Sequence, residues 1–205
     1  MSKMVAVILA AGKSTRMHSS FSKVLHKIYG KSMLEYVLDD IKAIGIDKGF
    51  IVINNQNWTG ANVRLPKGFR VIFQKKLLGT GHALLQAKKA LGNFGGDVLV
   101  LYGDTPLLTT QTLERLVEKH TPSRAACTLL TVTLKDPKGY GRIVRDEKND
   151  IIKIVEEADA SLYEKMIQEI NAGVYCFNAK EIFRALGTLR PKGPKKEYYL
   201  TDTVE

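Results

Sequence analysis

The chain has 205 residues, of which 44% are apolar and 25% charged, the composition of an ordinary globular protein with one large domain or two small ones. No apolar run approaches the roughly 20 residues that a membrane-spanning helix needs, and the N-terminal segment has no signal-peptide layout. The net charge of +10 does not indicate nucleic-acid binding, because the 31 Lys and Arg residues are scattered and the densest run, RPKGPKK, has no aromatic platform. A polyphosphate substrate or general solubility explains the excess as well.

The first half of the chain alternates strand-like and helix-like segments. The continuous apolar run MVAVILA predicts a strand that is covered on both faces. Apolar residues at helical spacing then predict a helix with its N-cap at Ser32 and its stop at Gly45. The next predicted elements are strand 50–53, strand 69–74, helix 80–91, strand 97–104 and helix 109–120. This alternation favours a mostly parallel sheet with helices on both faces.

The second half has a different pattern. The runs ACTLLTVTL, GRIVRD and IIKIVEE are strand-like with no helix between them, which favours a mixed or antiparallel extension of the sheet that could cover a site. No linker divides the chain, so we predict a single domain, residues 1–205. The run KEYYLTDTVE resembles the start of a helix with Thr201 or Asp202 near its N-cap, and this predicts a domain that is truncated at its C-terminal end.

The segment after the first strand contains a Gly-Lys-Ser sequence but does not fit a P-loop. A P-loop needs a glycine where this chain has Val7, in the middle of the strand, and Lys13 and Ser14 break the dinucleotide-binding glycine pattern. The small residues up to Gly12 can expose main-chain N–H groups to a ligand, and Arg16 and Lys23 can meet phosphate charge. A strand-to-turn junction with two solvated cations explains these residues equally well.

Other short segments hold polar side chains at predicted strand and helix ends. Gln74 and the Gly79-Thr80 turn suit the polar edge of a uracil, although a plain helix cap is the alternative. Asp104, at the end of a buried strand, is a candidate Mg²⁺ ligand or else a turn former before Pro106. Three further candidates, each weak alone, lie at β junctions of the second half: Gly141, Glu156 and Asn171.

No side chain indicates covalent catalysis. The four histidines have no metal-ligand spacing, and we expect them to be structural or surface residues: His18, His26, His82 and His120. Cys127 and Cys176 lie in apolar β-like runs, so we expect free buried thiols and a cytoplasmic location.

Taken together, these motifs resemble a known family. ILAAGKSTRMHSSFSKVL, GTGHA, LYGDTPL, GYGRIV, IVEE, EINAGVY and EYYLTD follow one another as in the N-terminal half of the bacterial bifunctional N-acetylglucosamine-1-phosphate uridyltransferase / glucosamine-1-phosphate N-acetyltransferase. The resemblance covers essentially the whole chain. It implies a Rossmann-like doubly wound mixed sheet and Mg²⁺-dependent synthesis of UDP-N-acetylglucosamine and pyrophosphate from UTP and N-acetyl-α-D-glucosamine 1-phosphate. Such products feed peptidoglycan and lipopolysaccharide synthesis.

The resemblance also implies roles for individual residues. Arg16, Lys23 and Asp104 would be catalytic, and Asp104 would bind Mg²⁺. The substrate-binding residues would be Leu9, Ala10, Ala11, Gly12 and Lys23 at the nucleotide loop, Gln74, Gly79 and Thr80 at the uracil, Tyr102, Gly103 and Asp104 at the centre, and Gly141, Glu156 and Asn171 at the N-acetylglucosamine moiety.

The chain departs from the family pattern in three places. Ser14 replaces a glycine, and Ser22 replaces the proline before the lysine, which predicts a less rigid support for Lys23. The family's second Mg²⁺ ligand, an Asn, and its C-terminal left-handed β-helix, which carries acetyl transfer and builds a homotrimer, come after EYYLTD and are absent from these 205 residues. Two alternatives therefore remain: a nucleotidyltransferase for another sugar phosphate, and a fragment that only binds its ligand.

Overall fold

The computed structural model describes residues 3–12, 22–54, 58, 63–193 and 195–205. The ten strands in this part of the chain are β1 Met4–Ala10, β2 Lys27–Ile28, β3 Lys31–Ser32, β4 Gly49–Ile53, β5 Phe69–Phe73, β6 Asp97–Tyr102, β7 Cys127–Thr133, β8 Arg142–Arg145, β9 Ile151–Val155 and β10 Glu169–Asn178. The α-helices are α1 Met33–Ala43, α2 Thr80–Leu91, α3 Thr110–Ser123, α4 Leu162–Lys165 and α5 Ala179–Leu186. Two 3₁₀-helices span Lys23–Leu25 and Leu200–Thr203.

Eight of these strands form one mixed sheet. Its order is β5-β4-β1-β6-β10-β8-β9, with β7 paired to β10 off this path. The strands β5, β4, β1 and β6 are parallel, as the βαβ alternation predicts, and β10 is antiparallel to β6. β10 is irregular between Asn171 and Tyr175, and this allows its first part to pair with β8 and its last part with β6. The predicted antiparallel extension is therefore confirmed.

Helices cover both faces of the sheet. Alternate residues of β1 point to opposite faces, so Val7 belongs to one buried cluster and Ile8 to the other. The first cluster contains side chains of α2 and α5, and the second contains side chains of α1 and α3. This is the doubly wound arrangement, and it leaves the carboxyl ends of the parallel strands free of helices.

Local sequence signals fix the helices of the parallel half. Ser32 and Glu35 form a capping box at the start of α1, and Gly45 follows its end at a φ of 78°, which a glycine adopts without strain. The helix predicted for 80–91 is observed as α2. The strands β5 and β6 end at Phe73 and Tyr102, before Gln74 and Asp104, so these two polar residues lie just beyond their strands.

The C-terminal segment differs from its prediction. The last helix is a 3₁₀-helix, Leu200–Thr203, with Tyr199 at its N-cap, rather than a helix that starts at Thr201 or Asp202. The reason is a tertiary contact: the Leu200 N–H donates to Thr80 Oγ1 at 3.0 Å. This contact holds the segment against the start of α2. The helices α4 and α5 and the β2–β3 hairpin were not predicted.

Both cysteines are free thiols, as predicted. Cys176 belongs to one buried cluster and Cys127 packs against the other, so the sheet separates them. Burial raises the pKa of each thiol to about 12. Within the described part of the chain, none of the helices combines the length and the apolar content needed to cross a membrane.

Candidate functional site

A cavity of about 810 Å³ opens at the carboxyl ends of the parallel strands. Eighteen residues line it: Leu9, Ala10, Ala11, Gly12, Ser22, Lys23, Val24, Gln74, Leu77, Gly79, Thr80, Ala83, Tyr102, Asp104, Glu156, Lys195, Glu197 and Tyr199. This edge of an open α/β sheet is where ligands bind. Eleven of the residues assigned from the sequence therefore lie around one space, although the segments that carry them are far apart in the chain.

The loop after β1 forms one wall from small residues. Ala10 and Ala11 are buried, whereas Gly12 is exposed and a methyl group there would meet nothing within 4 Å. Gly103 lies behind this wall, because a methyl group on it would be 3.1 Å from Val24 and 3.2 Å from Ala10. A ligand can therefore approach the main chain after β1 closely. Arg16, which the sequence places in the same loop, lies outside the described residues.

Lys23 and Asp104 form an ion pair inside the cavity. Lys23 Nζ lies 2.8 Å from Asp104 Oδ2, and the side chains are 42% and 34% exposed. The preceding Ser22 is buried and has a φ of −58°, the value that a proline ring imposes. Ser22 thus holds the backbone angle that a proline would impose, and the less rigid support for Lys23 stays a prediction.

The start of α2 forms a second wall and is already engaged by the protein. Gly79 has a φ of 96° and its carbonyl accepts from Gln74 Nε2 at 3.1 Å. The N–H of Gly81 donates to the carbonyl of Tyr198 at 2.8 Å. The helix start is therefore not a row of free N–H groups, because the C-terminal segment takes one of them. Thr80 in addition hydrogen bonds to Tyr102, whose pKa is raised by burial.

The antiparallel extension contributes Glu156. Burial raises the pKa of its carboxyl group, and Thr201 donates a hydrogen bond to Oε1 at 2.8 Å. Gly141 lies beside it, since a methyl group on this glycine would be 3.6 Å from Glu156 Oε2. The N–H of Asn171 donates to the carbonyl of Gly141 at 2.9 Å, and its side chain hydrogen bonds to Tyr175. Gly141 and Asn171 thus stand behind Glu156 and do not line the cavity.

The sequence assignments missed the C-terminal wall. Lys195, Glu197 and Tyr199 line the cavity, although they entered the sequence reading only as part of RPKGPKK and EYYLTD. Their approach depends on contacts with α2, so spacing along the chain could not reveal it. The basic run RPKGPKK thus supplies one cation, Lys195, to a cavity sized for a small molecule.

The acidic groups of the cavity do not form a dense metal cluster. Among the residues that the structure describes, no group of three or more His, Cys, Asp and Glu side chains could hold a metal ion. Mg²⁺ is commonly held by one or two carboxylates together with substrate phosphates. The carboxylates of Asp104, Glu156 and Glu197 line the described cavity, and Asp104 would have to release or share its contact with Lys23 to bind a metal ion.

Comparisons with known proteins agree with this architecture. Residues 6–190 match the model of the MobA-like NTP transferase domain. The chain is 50% identical over 205 residues to the bifunctional protein GlmU of Pelotomaculum thermopropionicum, covering 98% of this chain and 44% of that protein. It is 45% identical to the bifunctional protein GlmU of Halalkalibacterium halodurans, covering 100% of this chain and 45% of that protein. The chain therefore spans less than half the length of these relatives.

A solved structure supports the fold. A crystal structure of UDP-glucose pyrophosphorylase complexed with UDP-glucose superposes with a TM-score of 0.80 and covers 100% of this chain and 86% of that chain. The two sequences are 18% identical, so the likeness concerns the fold alone.

Proposed function

The chain belongs to the family of MobA-like NTP transferase domains, and we propose that it transfers a uridylyl group from UTP to N-acetyl-α-D-glucosamine 1-phosphate, releasing pyrophosphate and UDP-N-acetylglucosamine. The observation that carries this proposal is the cavity at the sheet edge, in which the small-residue loop after β1, the Lys23–Asp104 pair and Glu156 face one another. The high identity to the N-terminal part of GlmU proteins supports the same substrates.

Chemically, a phosphate oxygen of the sugar phosphate attacks the α-phosphorus of UTP in line. A new oxygen–phosphorus bond forms, and the bond to the bridging oxygen breaks so that pyrophosphate leaves with its electron pair. Such transfers depend on positioning and charge neutralisation. Lys23 stabilises the charge of the phosphates, and Arg16 has the same proposed role. Mg²⁺, when bound to Asp104 and phosphate oxygens, would supply further charge neutralisation.

Each wall of the cavity binds a different part of the substrates. The main chain of Leu9 to Gly12 receives the nucleotide phosphates, and the uracil lies against Gln74, Gly79 and Thr80. Tyr102, Gly103 and Asp104 form the centre, of which Gly103 acts by allowing close packing. Glu156 holds a hydroxyl or amide of the N-acetylglucosamine moiety, and Gly141 and Asn171 support it from behind.

Further properties are proposed from the similarity to the GlmU proteins. The single-domain organisation, the use of Mg²⁺ in particular and a cytoplasmic location belong to the proposal. So do acetylation of glucosamine 1-phosphate and a homotrimer for a full-length parent with a C-terminal β-helix, in peptidoglycan and lipopolysaccharide precursor synthesis. We propose no nucleic-acid or membrane partner.

A substrate panel tests the proposal. Pyrophosphate release is measured with each of the four nucleoside triphosphates and with N-acetylglucosamine, glucosamine, glucose and mannose 1-phosphates, with Mg²⁺ and with a chelator. We expect turnover for UTP with N-acetylglucosamine 1-phosphate and its loss on chelation. Preference for another pair would establish the alternative nucleotidyltransferase. Calorimetric binding of UDP-N-acetylglucosamine without any turnover would identify a fragment that only binds.

A further inference from the structure

The polar side chains of Gln74, His82 and Gln86 contact one another in sequence, and Gln74 lines the wall of the cavity where we propose that the uracil lies. Gln74 lines the cavity but is only 3% exposed. Its Nε2 lies 3.1 Å from the carbonyl oxygen of Gly79 and 2.9 Å from His82 Nδ1. On the far side of the imidazole, His82 Nε2 lies 3.2 Å from the side-chain amide of Gln86. Both N–H groups of the Gln74 amide therefore have partners inside the protein.

The Gly79 carbonyl determines which way the Gln74 amide points. A carbonyl oxygen can only accept, so the nitrogen end of the amide must face it, because the reverse orientation would bring two oxygens together at 3.1 Å. The second N–H of Gln74 then points at His82 Nδ1, which must accept. Only the carbonyl oxygen of Gln74 is left for a ligand.

The imidazole of His82 can meet this requirement. Burial lowers its pKa, so the ring is neutral at pH 7 and carries one proton. With Nδ1 as the acceptor, that proton lies on Nε2. The amide nitrogen of Gln86 lies 3.2 Å from Nε2 and donates to the carbonyl oxygen of His82 at 3.0 Å, so the partly buried Gln86 side chain has to move away from the ring when Nε2 carries the proton. The ring of Tyr198 lies beside the imidazole, with centroids 6.4 Å apart.

Given the proposed binding of a uridine nucleotide in this cavity, we propose that His82 is a positioning residue that locks the Gln74 amide as a pure acceptor and thereby selects uracil against cytosine. Uracil has an N–H donor at ring position 3, and cytosine has an unprotonated acceptor nitrogen there. The locked oxygen of Gln74 accepts from uracil and opposes the lone pair of cytosine. A polar group left facing the wrong partner discriminates far better than a change of shape does.

Substitutions at His82 test this role through base selectivity. The readout is kcat/KM with UTP divided by kcat/KM with CTP. In His82→Leu the Gly79 carbonyl still holds one N–H of Gln74, but the second N–H has lost its acceptor. The amide can then pivot and present this N–H to the ligand, so we expect the ratio to fall at least about tenfold. In His82→Asn the side-chain oxygen can replace Nδ1 as acceptor, so we expect most of the selectivity to return. Gln86→Ala leaves the Gln74–His82 contact intact and should keep the parent ratio within about twofold.

A merely structural role for His82 would give a different result. It would lower kcat/KM equally for both nucleotides and leave the ratio unchanged, and that result would overturn the proposal. Long-range proton–nitrogen NMR correlations of the imidazole give a second test that needs no turnover. We expect the proton on Nε2 in the parent protein, and a proton on Nδ1 would overturn the proposed lock.

The same experiment separates the two levels of inference. A parent protein without any preference for UTP over CTP, in turnover and in calorimetric binding, would overturn both the uridine assignment and the role of His82. A parent with a clear preference that His82→Leu retains, but Gln74→Ala loses, would overturn the role of His82 alone.

Discussion

The parallel half of the sheet and its antiparallel extension line the two sides of the cavity with different chemical groups. The parallel side offers main chain and small residues: Ala10 at the end of the buried strand β1, and Ala11 and Gly12 in the loop that follows. The antiparallel side offers Glu156, a partly buried carboxyl group whose pKa is raised by desolvation. Main-chain N–H groups can bind a ligand without the cost of removing a charged side chain from water. A charged side chain that is removed from water needs hydrogen-bond or ion-pair partners to offset that cost.

The partners of the antiparallel side are visible in the structure. Arg142 is 2% exposed and donates to Glu157 Oε2 at 2.7 Å. The N–H of Gly139 and then Arg142 hold the pKa of the Glu157 carboxyl group below its ordinary value. Glu156 itself is held by Thr201 of the C-terminal segment. The comparison teaches that this side depends on contacts between distant segments, and the following substitutions test that difference.

The largest effect is expected at the centre, where the two sides meet. Asp104→Asn removes the carboxylate that pairs with Lys23 and that we propose as the Mg²⁺ ligand. We expect kcat for pyrophosphate release to fall by about 10²-fold or more, the scale for loss of one preorganised electrostatic group. Glu147→Gln, at an exposed position away from the cavity, is the control. A kcat within a few-fold of the parent would remove Asp104 from the mechanism.

Stability should be very sensitive to added side-chain volume at Gly173, where the antiparallel strand β10 contacts Tyr102 at the end of the parallel strand β6. Gly173 has a φ of 75°, and a methyl group on it would clash with the ring of Tyr102. We expect Gly173→Ala to lower the free energy of unfolding by about 2–4 kcal/mol, from overpacking and left-handed strain together. Urea denaturation measures it. Gly95→Ala is the matched control, because a methyl group there meets nothing within 4 Å.

Neutralising the charged side chain of the antiparallel side should stabilise the protein. The raised pKa of Glu156 means that folding favours its protonated form. Its favourable contribution is therefore present below the ordinary carboxyl pKa and is lost as pH rises through the folded value. We expect Glu156→Gln to raise the melting temperature by roughly 2–4 °C at pH 8 and to have no effect at pH 4. If Glu156→Gln and the parent protein had the same melting temperature at pH 8 as well as at pH 4, the proposed cost of burying the charged carboxylate would be contradicted.

The smallest effects come from two identical capping boxes, one on each side. Ser32 caps the eleven-residue α1, and Ser161 caps the four-residue α4. We expect Ser32→Ala to cost about 1 kcal/mol of unfolding free energy, because α1 packs on the core. Ser161→Ala should cost less than half of that, since α4 has no buried residue. Chemical denaturation of both variants compares them, and equal costs would show that the helix context does not matter.

Sequence patterns predicted the parallel half well and the antiparallel half only in outline. The continuous apolar run of β1 and the serine cap of α1 are local signals, and each element formed where its signal lies. The helix α5 was missed because its eight residues follow directly on β10. The sequence placed Gln74 and Asp104 at the ends of predicted strands, and the structure shows both lining one cavity, since parallel strands bring their carboxyl ends to the same edge of a sheet.

The sequence by itself determined the strands and helices of the parallel half, because each is specified by residues within one or two turns of itself. Only the tertiary structure decided how β10 divides its pairing among β6, β7 and β8, and how the C-terminal segment closes the cavity. The contact of Leu200 with Thr80 joins residues 120 positions apart. Such a contact has no local pattern, because its free energy arises only after the whole sheet has brought both segments together.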